Sequence, residues 1–453
     1  MGEKDFRASK ACGPGPMTAI LTVVALLFAY LSLGIFRKKW FFILFFLVLF
    51  FTEFYWIEIF DAYLKPFYLV SVATCVVFGL RYLPVLKSKI IGVLFAFFII
   101  QGLYLFVIGA TFEEWKTWVL LFFFITISFN TASALWSKSL AVDEFAKLLL
   151  ISLSVIVVFG LLQVLSYNLG IYSLSLRGSH SGSLQSELRY SAFFTEPDNC
   201  GKFIAMGLLI LFPFIKQGLV NKWLYLFLTI GFLLDMTRSA IIGYAGAIFF
   251  GALIVGSTGS KILGSRPRII INAGIILVVS TFAVGIISHF LGVREVFEYR
   301  FGSILKLGET LQTDAALPVR KLSVEAALRE SMSSTQSFLF GKGWGAGYQL
   351  SLGGYSEYVK GSSNLYTMLL LFSGIFGLMV FLWIFGYAIK VLIIAIKRNV
   401  HPYLATGVIC GILFSMIVGI LSPNFIAPEF WMLLGLAGFI ELELKRERST
   451  VNA

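Results

Sequence analysis

Four charged side chains lie in the stretch RYSAFFTEPDNCGKF at residues 189–203, directly before the apolar run IAMGLLILFPF. They are Arg189, Glu196, Asp198 and Lys202. Pro197 suits the first turn of the helix that follows, where the two acidic side chains would lie near the positive end of the helix dipole. Capping therefore explains the carboxylates without a ligand. It does not explain Arg189, which precedes the helix.

A second polar group interrupts LLDMTRSAIIGYAGAIFFGALIV at residues 233–255. Two apolar segments meet at Asp235 and Arg238, with no space for a long loop. An arginine at membrane depth is costly unless it faces a cavity or a partner, so Arg238 is a candidate functional residue. The simpler alternative is an Arg238–Asp235 pair that only closes the turn. Gly243 and Gly246 form a small-residue face typical of close helix packing.

A third stretch, FLFGKGWGAGYQLSLGGYSEYVKGSSNLYTMLLLFSGIFGLM, occupies residues 338–379. GKGWGAG lacks the GK[ST] ending and the strand–helix context of a nucleotide loop, so its glycines, Gly343 among them, predict a tight turn. Ser363 and Asn364 then precede an apolar helix, which is typical of helix capping.

The arginines of these stretches predict phosphate binding. Arg189, Arg238 and the loop residues Arg300 and Arg320 are all expected at one face of a membrane. Guanidinium groups bind phosphate oxygens in pairs and stay charged at every relevant pH. Such a cluster indicates an anionic lipid headgroup, above all a diphosphate, while the acidic side chains cap the helix or contact a sugar hydroxyl.

The composition predicts an all-α, polytopic integral membrane protein. The chain has 453 residues, of which 58% are hydrophobic and 13% charged, and its mean hydropathy is +0.89. Apolar runs of about 20 residues fit helices that cross a bilayer. The net charge of +12 is typical of basic cytoplasmic loops, so nucleic acid is not an expected partner. His and Cys residues show no ligand spacing, so neither a metal nor a cofactor is expected.

The chain is predicted to consist of a polar tail at residues 1–16, membrane helices over 17–290 with an external segment at 168–199, a large external loop at 291–362, membrane helices over 363–441 and a cytoplasmic tail at 442–453. Hydropathy gives thirteen apolar spans, at about 17–35, 40–56, 67–80, 90–109, 115–135, 148–167, 200–219, 222–236, 238–256, 269–290, 364–386, 403–421 and 425–441. Thirteen spans would place the basic N-terminal tail outside, so about 12 to 14 spans are expected. Within the large loop, an apolar stripe beside an i, i+4, i+8 polar stripe predicts an amphipathic helix over 318–332.

Basic residues predict which segments face the cytoplasm, because Lys and Arg gather in cytoplasmic loops. Clusters at 37–39, 81–89, 216–222, 261–268, 390–398 and 445–448 are therefore assigned to that side. The turns that contain Glu53 and Glu113, and the large loop, are then external.

In order, the stretches RYSAFFTEPDNCGKF, MTRSAIIGYAGA, GKGWGAGY and SSNLYTMLLLFSGIFGLM resemble the O-antigen polymerase and ligase superfamily of bacterial envelope glycosyltransferases, over residues 185–385. The resemblance implies a glycosyltransferase C-type fold in the bacterial inner membrane, with the active site on the periplasmic side. It also implies a polyprenyl-diphosphate-linked glycan donor, without a nucleotide sugar or a metal. Arg189 and Arg238 would then bind the diphosphate, and Arg320 would begin the loop helix.

One departure from that family favours a polymerase over a ligase. Many ligases carry a histidine immediately before the asparagine of the last motif, where this chain has Ser363. The expected activity is inverting polymerisation, with an undecaprenyl-diphosphate-linked glycan as both donor and acceptor. Glu196 or Glu357 would be the base, and Gly343, Ser363 and Asn364 would lie on the acceptor or loop side. Membrane lipids and a chain-length regulator protein are the other expected partners.

Three other functions remain open at this point. A ligase would transfer the glycan to lipid A-core instead of extending it. A flippase for lipid-linked oligosaccharides would also need many helices and intramembrane arginines, but transporters usually have repeated halves and discontinuous helices near the membrane midplane. A non-enzymatic scaffold would not need arginines at helix ends.

Overall fold

The computed structural model describes residues 38–51, 57–59, 62–79, 81–169, 192–194, 197–258, 266–290, 298, 316–352, 355–360, 362–422 and 427–451. The predicted tail 1–16, the first predicted span, and the residues Arg189, Glu196 and Arg300 lie outside this part of the chain. The described residues form a bundle of α-helices with two small hairpins.

The first half of the bundle contains α1 (Lys38–Phe51), β1 (Ile57–Ile59), β2 (Ala62–Leu64), α2 (Pro66–Gly79), α3 (Lys89–Val107), α4 (Phe112–Trp136), α5 (Val142–Asn168), α6 (Pro197–Leu211), α7 (Lys222–Leu234), α8 (Arg238–Ser257) and α9 (Arg266–Phe290). The second half contains α10 (Ala316–Ser331), α11 (Thr335–Phe340), β3 (Gly347–Leu352), β4 (Tyr355–Lys360), α12 (Leu365–Lys397), α13 (Pro402–Leu421) and α14 (Pro428–Val451). Short 3₁₀ turns at Leu83–Lys87 and Phe212–Ile215 complete the described elements.

Seven helices in the described residues are long and apolar enough to cross a membrane: α3, α4, α5, α6 with its 3₁₀ extension, α8, α12 and α13. Shorter apolar helices run over Pro66–Val76, Lys222–Leu234 and Gly274–His289. The chain is thus a multi-pass helical membrane protein. Twelve of the thirteen spans predicted from hydropathy coincide with a helix of the bundle, and the remaining one lies outside the described residues.

Several helices continue beyond the spans that hydropathy predicts. Helix α12 extends to Lys397 and α14 to Val451, whereas the apolar windows end near 386 and 441. Hydropathy detects only the apolar part of a helix, while the backbone hydrogen bonds continue into the polar ends.

Contacts between helix ends join three of the basic clusters and connect a fourth to the start of α5. Lys39 at the start of α1 forms an ion pair with Glu144 at the start of α5. Lys445 Nζ donates a hydrogen bond to the carbonyl oxygen of Lys87 at 2.7 Å. Arg398 Nη1 lies 3.9 Å from Glu447 Oε2. The clusters at 81–89, 390–398 and 445–448 thus lie together, which is consistent with their common assignment to the cytoplasmic side.

Glycines bring α8 close to α13, as the small-residue face predicted. A Cβ atom on Gly246 would lie 2.8 Å from Ile417 Cδ1, and one on Gly243 would lie 3.0 Å from Phe414 Cδ2. A larger side chain at Gly243 would meet the Val418 and Phe414 side chains, and one at Gly246 would require the Ile417 side chain to move. The packing interpretation of Gly243 and Gly246 is therefore confirmed.

The end of the predicted external loop contains more structure than the sequence predicts. The expected helix at 318–332 is present as α10, which begins two residues earlier and ends one residue earlier. The hairpin β3–β4, in which Gly347 pairs with Lys360 and Leu352 with Tyr355, was not predicted.

The GKG turn that follows α11 packs its backbone against a break in α12. Gly374 interrupts α12 with φ +64° and ψ −169°. The N–H groups of Lys342 and Gly343 donate to the carbonyl oxygens of Leu371 (2.8 Å) and Phe372 (3.1 Å). Gly341 and Gly343 have φ values of +82° and +103°, so the predicted tight turn is confirmed.

Candidate functional site

The start of α6 packs directly on the turn between α7 and α8. Only Asp235, Met236 and Thr237 separate Leu234, the last residue of α7, from Arg238, the first of α8. Met236 adopts φ +59°, a left-handed conformation that lets the chain reverse within these residues. On α6, a Cβ atom added to Gly201 would lie 2.7 Å from Thr237 Oγ1. Two of the sequence stretches that carry candidate residues are therefore in contact.

The α7–α8 turn is polar although it is buried. Asp235 and Thr237 are 0% and 1% exposed, and the Thr237 hydroxyl donates a hydrogen bond to the Asp235 carboxylate. Arg238 is half-buried at the first position of α8. A charged turn inside an apolar bundle is expensive to maintain, so it is a feature that points to function.

Lys202 is the second buried charge at this end of the bundle. Its side chain lies on α6, is 5% exposed, and its Nζ donates to Ser422 Oγ at 2.7 Å. Ser422 is the C-cap residue of α13. Lys202 thus connects the start of α6 with the end of α13.

Arg320 and the Ser363–Asn364 pair meet at the same end of α13. Arg320 Nη1 donates to the carbonyl oxygen of Leu421, the last residue of α13, at 3.2 Å. Asn364 Nδ2 donates to Ile420 O at 2.7 Å. Ser363 Oγ donates to Arg320 O at 3.2 Å. The N-terminal part of α10 is therefore held against the start of α12 and the end of α13.

Much of this contact set has a structural role. Asn364 is the N-cap of α12, because its Oδ1 accepts hydrogen bonds from the N–H groups of Tyr366 and Thr367. The capping interpretation of Asn364 is thus confirmed. Ser363 N donates to Ser323 Oγ at 3.3 Å, and Ser323 shares a 2.6 Å hydrogen bond with the Tyr348 hydroxyl. Burial raises the pKa of Tyr348, so this hydroxyl is neutral at neutral pH.

The N-terminal ends of four helices, which carry partial positive charge, lie around the last residues of α13. The N-termini of α6, α8, α10 and α12 all lie in this region through the contacts of Gly201, Lys202, Arg320 and Asn364. Each helix N-terminus carries roughly half a positive charge. Lys202, Arg238 and Arg320 add three positive side chains to these helix ends, beside the carboxylates of Asp198 and Asp235. Helix N-termini of this kind are good sites for phosphate groups.

Of the other predicted site residues that the structure describes, Gly343 lies away from this group. Gly343 belongs to the GKG turn, whose neighbour Lys342 pairs with Glu330 near the end of α10. Glu330 lies ten positions after Arg320 on α10, which is about 15 Å of helix. The backbone of Glu357 lies in β4, opposite Leu350. Arg189, Glu196 and Arg300 lie outside the described residues, so their predicted roles stay predictions.

Sequence reasoning mentioned Lys202 but did not choose it as a site residue. The signal was available, because Lys202 begins a long apolar run and a lysine buried in a membrane helix is a functional candidate by default.

Among the residues that the structure describes, no group of three or more His, Cys, Asp or Glu side chains is arranged to hold a metal ion.

Comparison with known proteins adds no assignment. No protein-family model matches the chain, and no curated protein matches its sequence. A functional interpretation therefore depends on the geometry of the site and on the motifs that the sequence carries.

Proposed function

We propose that this protein polymerises lipid-linked oligosaccharide repeat units at the outer face of the bacterial inner membrane. The donor and the acceptor would both be glycans linked to undecaprenyl diphosphate, for O-antigen, capsule or exopolysaccharide synthesis. Its residues would form 12 to 14 membrane spans with a glycosyltransferase C-type fold. Two features support this function. The first is the motif resemblance, and the second is the convergence of cations and helix N-termini around the end of α13.

That convergence supports the proposal because the leaving group of the reaction is a diphosphate. As the bond between the anomeric carbon and the diphosphate oxygen breaks, negative charge grows on the diphosphate oxygens. Fixed positive groups stabilise this charge without having to reorganise, and each such group typically contributes 10²- to 10³-fold in rate. Arg238, Lys202 and Arg320 are side chains of this kind, and the donor would approach them from the lipid.

The acceptor hydroxyl would attack the anomeric carbon from the face opposite the diphosphate and so invert its configuration. A carboxylate near the acceptor would take the hydroxyl proton, a step worth about 10²- to 10⁴-fold. Glu196 directly precedes α6, whose first turns contain Gly201 and Lys202 and contact the α7–α8 turn. This sequence position favours Glu196 over Glu357 as the base.

The break in α12 is the one observation that favours a transporter instead. Discontinuous helices in transporters expose backbone groups to the substrate near the membrane midplane. Here the carbonyl oxygens of Leu371 and Phe372, just before the break, accept hydrogen bonds from the GKG turn. The break therefore holds the loop in place, which favours the polymerase over a flippase.

A reconstituted assay tests the proposed function. Purified protein is incubated with lipid-linked repeat units, and products are separated by length on a gel. We expect a ladder of polymer from the wild type that persists in EDTA, because the phosphate-binding charge comes from side chains. Arg238→Ala should reduce polymer about 100-fold or more, and Arg238→Lys should fail largely as well, since an ammonium cannot form the bidentate contact.

Two neighbouring residues of α10 provide a matched control. Arg320 contacts the end of α13, whereas Lys321 is 77% exposed and pairs only loosely with Glu325, at 3.8 Å. Arg320→Ala should shorten or abolish the ladder, and Lys321→Ala should leave it unchanged. The proposal would be overturned if the wild type moved the lipid-linked unit across the vesicle membrane without lengthening it. Full polymer from both Arg238→Ala and Arg320→Ala would overturn it as well.

A further inference from the structure

A second polar site lies about 15 Å from Arg320 along α10, where the GKG turn meets the corner between α3 and α4. An open pocket of about 310 Å³ is lined there by the side chains of Tyr104, Glu114, Gln336, Ser337 and Lys342, among others. This volume is within the range of small-molecule sites. The proposed polymerase reaction does not use this pocket.

The pocket is preorganised by its own contacts. The Tyr104 hydroxyl donates to the carbonyl oxygen of Gly341 at 2.8 Å. Lys342 is fixed at its backbone by Leu371 O and at its side chain by an ion pair with Glu330. Glu114 is held by the capping box of α4, in which its Oε2 accepts hydrogen bonds from Thr111 N (2.6 Å) and Thr111 Oγ1 (3.0 Å).

The carboxylate of Glu114 and the ammonium of Lys342 therefore line one cavity. Each of these groups can form further hydrogen bonds. Glu114 Oε1 points toward the GKG turn, 3.5 Å from the Cβ position of Gly343, and receives no hydrogen bond from the described residues. The Lys342 ammonium has three donors, and its ion pair with Glu330 uses one of them. A ligand that carries both an ammonium and a phosphate would satisfy both groups.

The surroundings of the pocket are apolar and exposed. Phe106 and Phe112, at the α3–α4 corner, are 79% and 80% exposed, and Phe338, Leu339 and Phe340 of α11 are also exposed. In a membrane protein such residues face lipid chains. Trp115 and Trp118 lie in the first turns of α4 with their rings in contact, and tryptophan is typical of the level of the lipid headgroups.

We propose that this pocket binds the headgroup of a phospholipid with a phosphoethanolamine headgroup. The primary ammonium would donate to Glu114, the phosphate would accept from Lys342, and the acyl chains would lie along the exposed phenylalanines of α3, α4 and α11. The lipid would then hold the GKG turn, and with it α10, against the membrane helices. A choline headgroup lacks the N–H donors, and a glycerol headgroup lacks the cation.

Native mass spectrometry of the delipidated full-length protein in detergent tests this inference. The protein is titrated separately with dioctanoyl-phosphatidylethanolamine, dioctanoyl-phosphatidylcholine and dioctanoyl-phosphatidylglycerol. We expect one tightly bound phosphatidylethanolamine, with an affinity at least about tenfold above that of the other two, since a hydrogen bond between charged groups is worth that much. Equal affinity for the three lipids would refute the proposed selectivity.

Two variants separate the charges, and a third serves as their control. Glu114→Gln should remove the preference for ethanolamine over choline, because glutamine retains the capping box but loses the charge. Lys342→Gln should weaken the binding of all three lipids about tenfold. Lys321→Gln on the exposed side of α10 should change neither. An unchanged preference in Glu114→Gln would contradict the assignment.

A pocket-filling variant covers the case in which a charge variant fails to fold. Ser337→Leu should lose the bound lipid while the protein remains monodisperse, and retention of the lipid would place it elsewhere on the surface. Displacement of the bound phosphatidylethanolamine by a soluble repeat-unit oligosaccharide would identify the pocket as a glycan subsite and also overturn the proposal. None of these measurements uses polymerisation, so they are independent of the proposed function.

Discussion

The contact between Gly201 and the α7–α8 turn allows a sensitive test of the site. Gly201→Ala would place a methyl group 2.7 Å from Thr237 Oγ1, with the Asp235 carboxylate still closer, whereas ordinary contacts begin at 3.4 Å. The Asp235 and Thr237 side chains, or the turn that carries them, would have to move by at least roughly 0.7 Å, and Arg238 follows this turn directly in the chain. A displacement of about 1 Å at a catalytic group can cost about 100-fold in rate.

A second glycine in a helix provides a control that separates the effect on stability from the effect on the site. Gly386 lies inside α12, and a Cβ atom there would meet nothing within 4 Å. Alanine should stabilise either helix by about 0.5–1 kcal/mol through propensity alone. Overpacking at Gly201 costs about 1–3 kcal/mol, so Gly201→Ala should unfold at a lower temperature than the wild type, and Gly386→Ala at a higher one.

The assay combines thermal unfolding of the purified variants with the length of polymer on a gel. We expect Gly201→Ala to reduce polymer strongly at a temperature where it is still folded, and Gly386→Ala to retain the full ladder. If Gly201→Ala is as stable as Gly386→Ala and makes normal polymer, the α6 contact does not position Arg238. Loss of polymer in both variants would mean that the effect comes from the bundle as a whole.

The remaining predictions concern residues outside the described part of the chain. A cysteine placed at position 310 should react with an impermeant reagent in intact spheroplasts, and one at position 262 should be spared, because the basic clusters place them on opposite sides; the reverse pattern would invert the topology. Glu196→Gln should leave the protein folded, since dipole capping is worth only about 0.3–1 kcal/mol, but should reduce polymer about 100-fold or more if Glu196 is the base. Near-normal polymer from Glu196→Gln would return that residue to capping and make Glu357→Gln the next variant.

Hydropathy predicts the membrane helices well because the insertion of an apolar segment depends mainly on its own residues. The α7–α8 turn was predictable for the same reason, since two apolar segments that meet at Asp235 and Arg238 leave no other connection. The cap at Asn364 followed from its residue type and position, and the structure confirms it.

Features that depend on contacts between distant residues could not be predicted in this way. The break at Gly374 lies within an uninterrupted apolar run, and the carbonyl oxygens just before it accept hydrogen bonds from the GKG turn, some thirty residues earlier. The contacts of Arg320 with Leu421 and of Lys202 with Ser422 join residues that are 101 and 220 positions apart. No local pattern in the sequence carries that information.

The break in α12 also bears on the order in which the protein folds. The segment Leu365–Lys397 contains no proline, so by itself it can form one continuous helix. Unpaired backbone groups cost several kcal/mol in hydrocarbon, so we expect Gly374 to leave the helical conformation only once the GKG turn supplies its hydrogen-bond donors. Docking of the GKG turn would then convert a straight helix into the bent one, as a late step that follows the formation of the membrane helices.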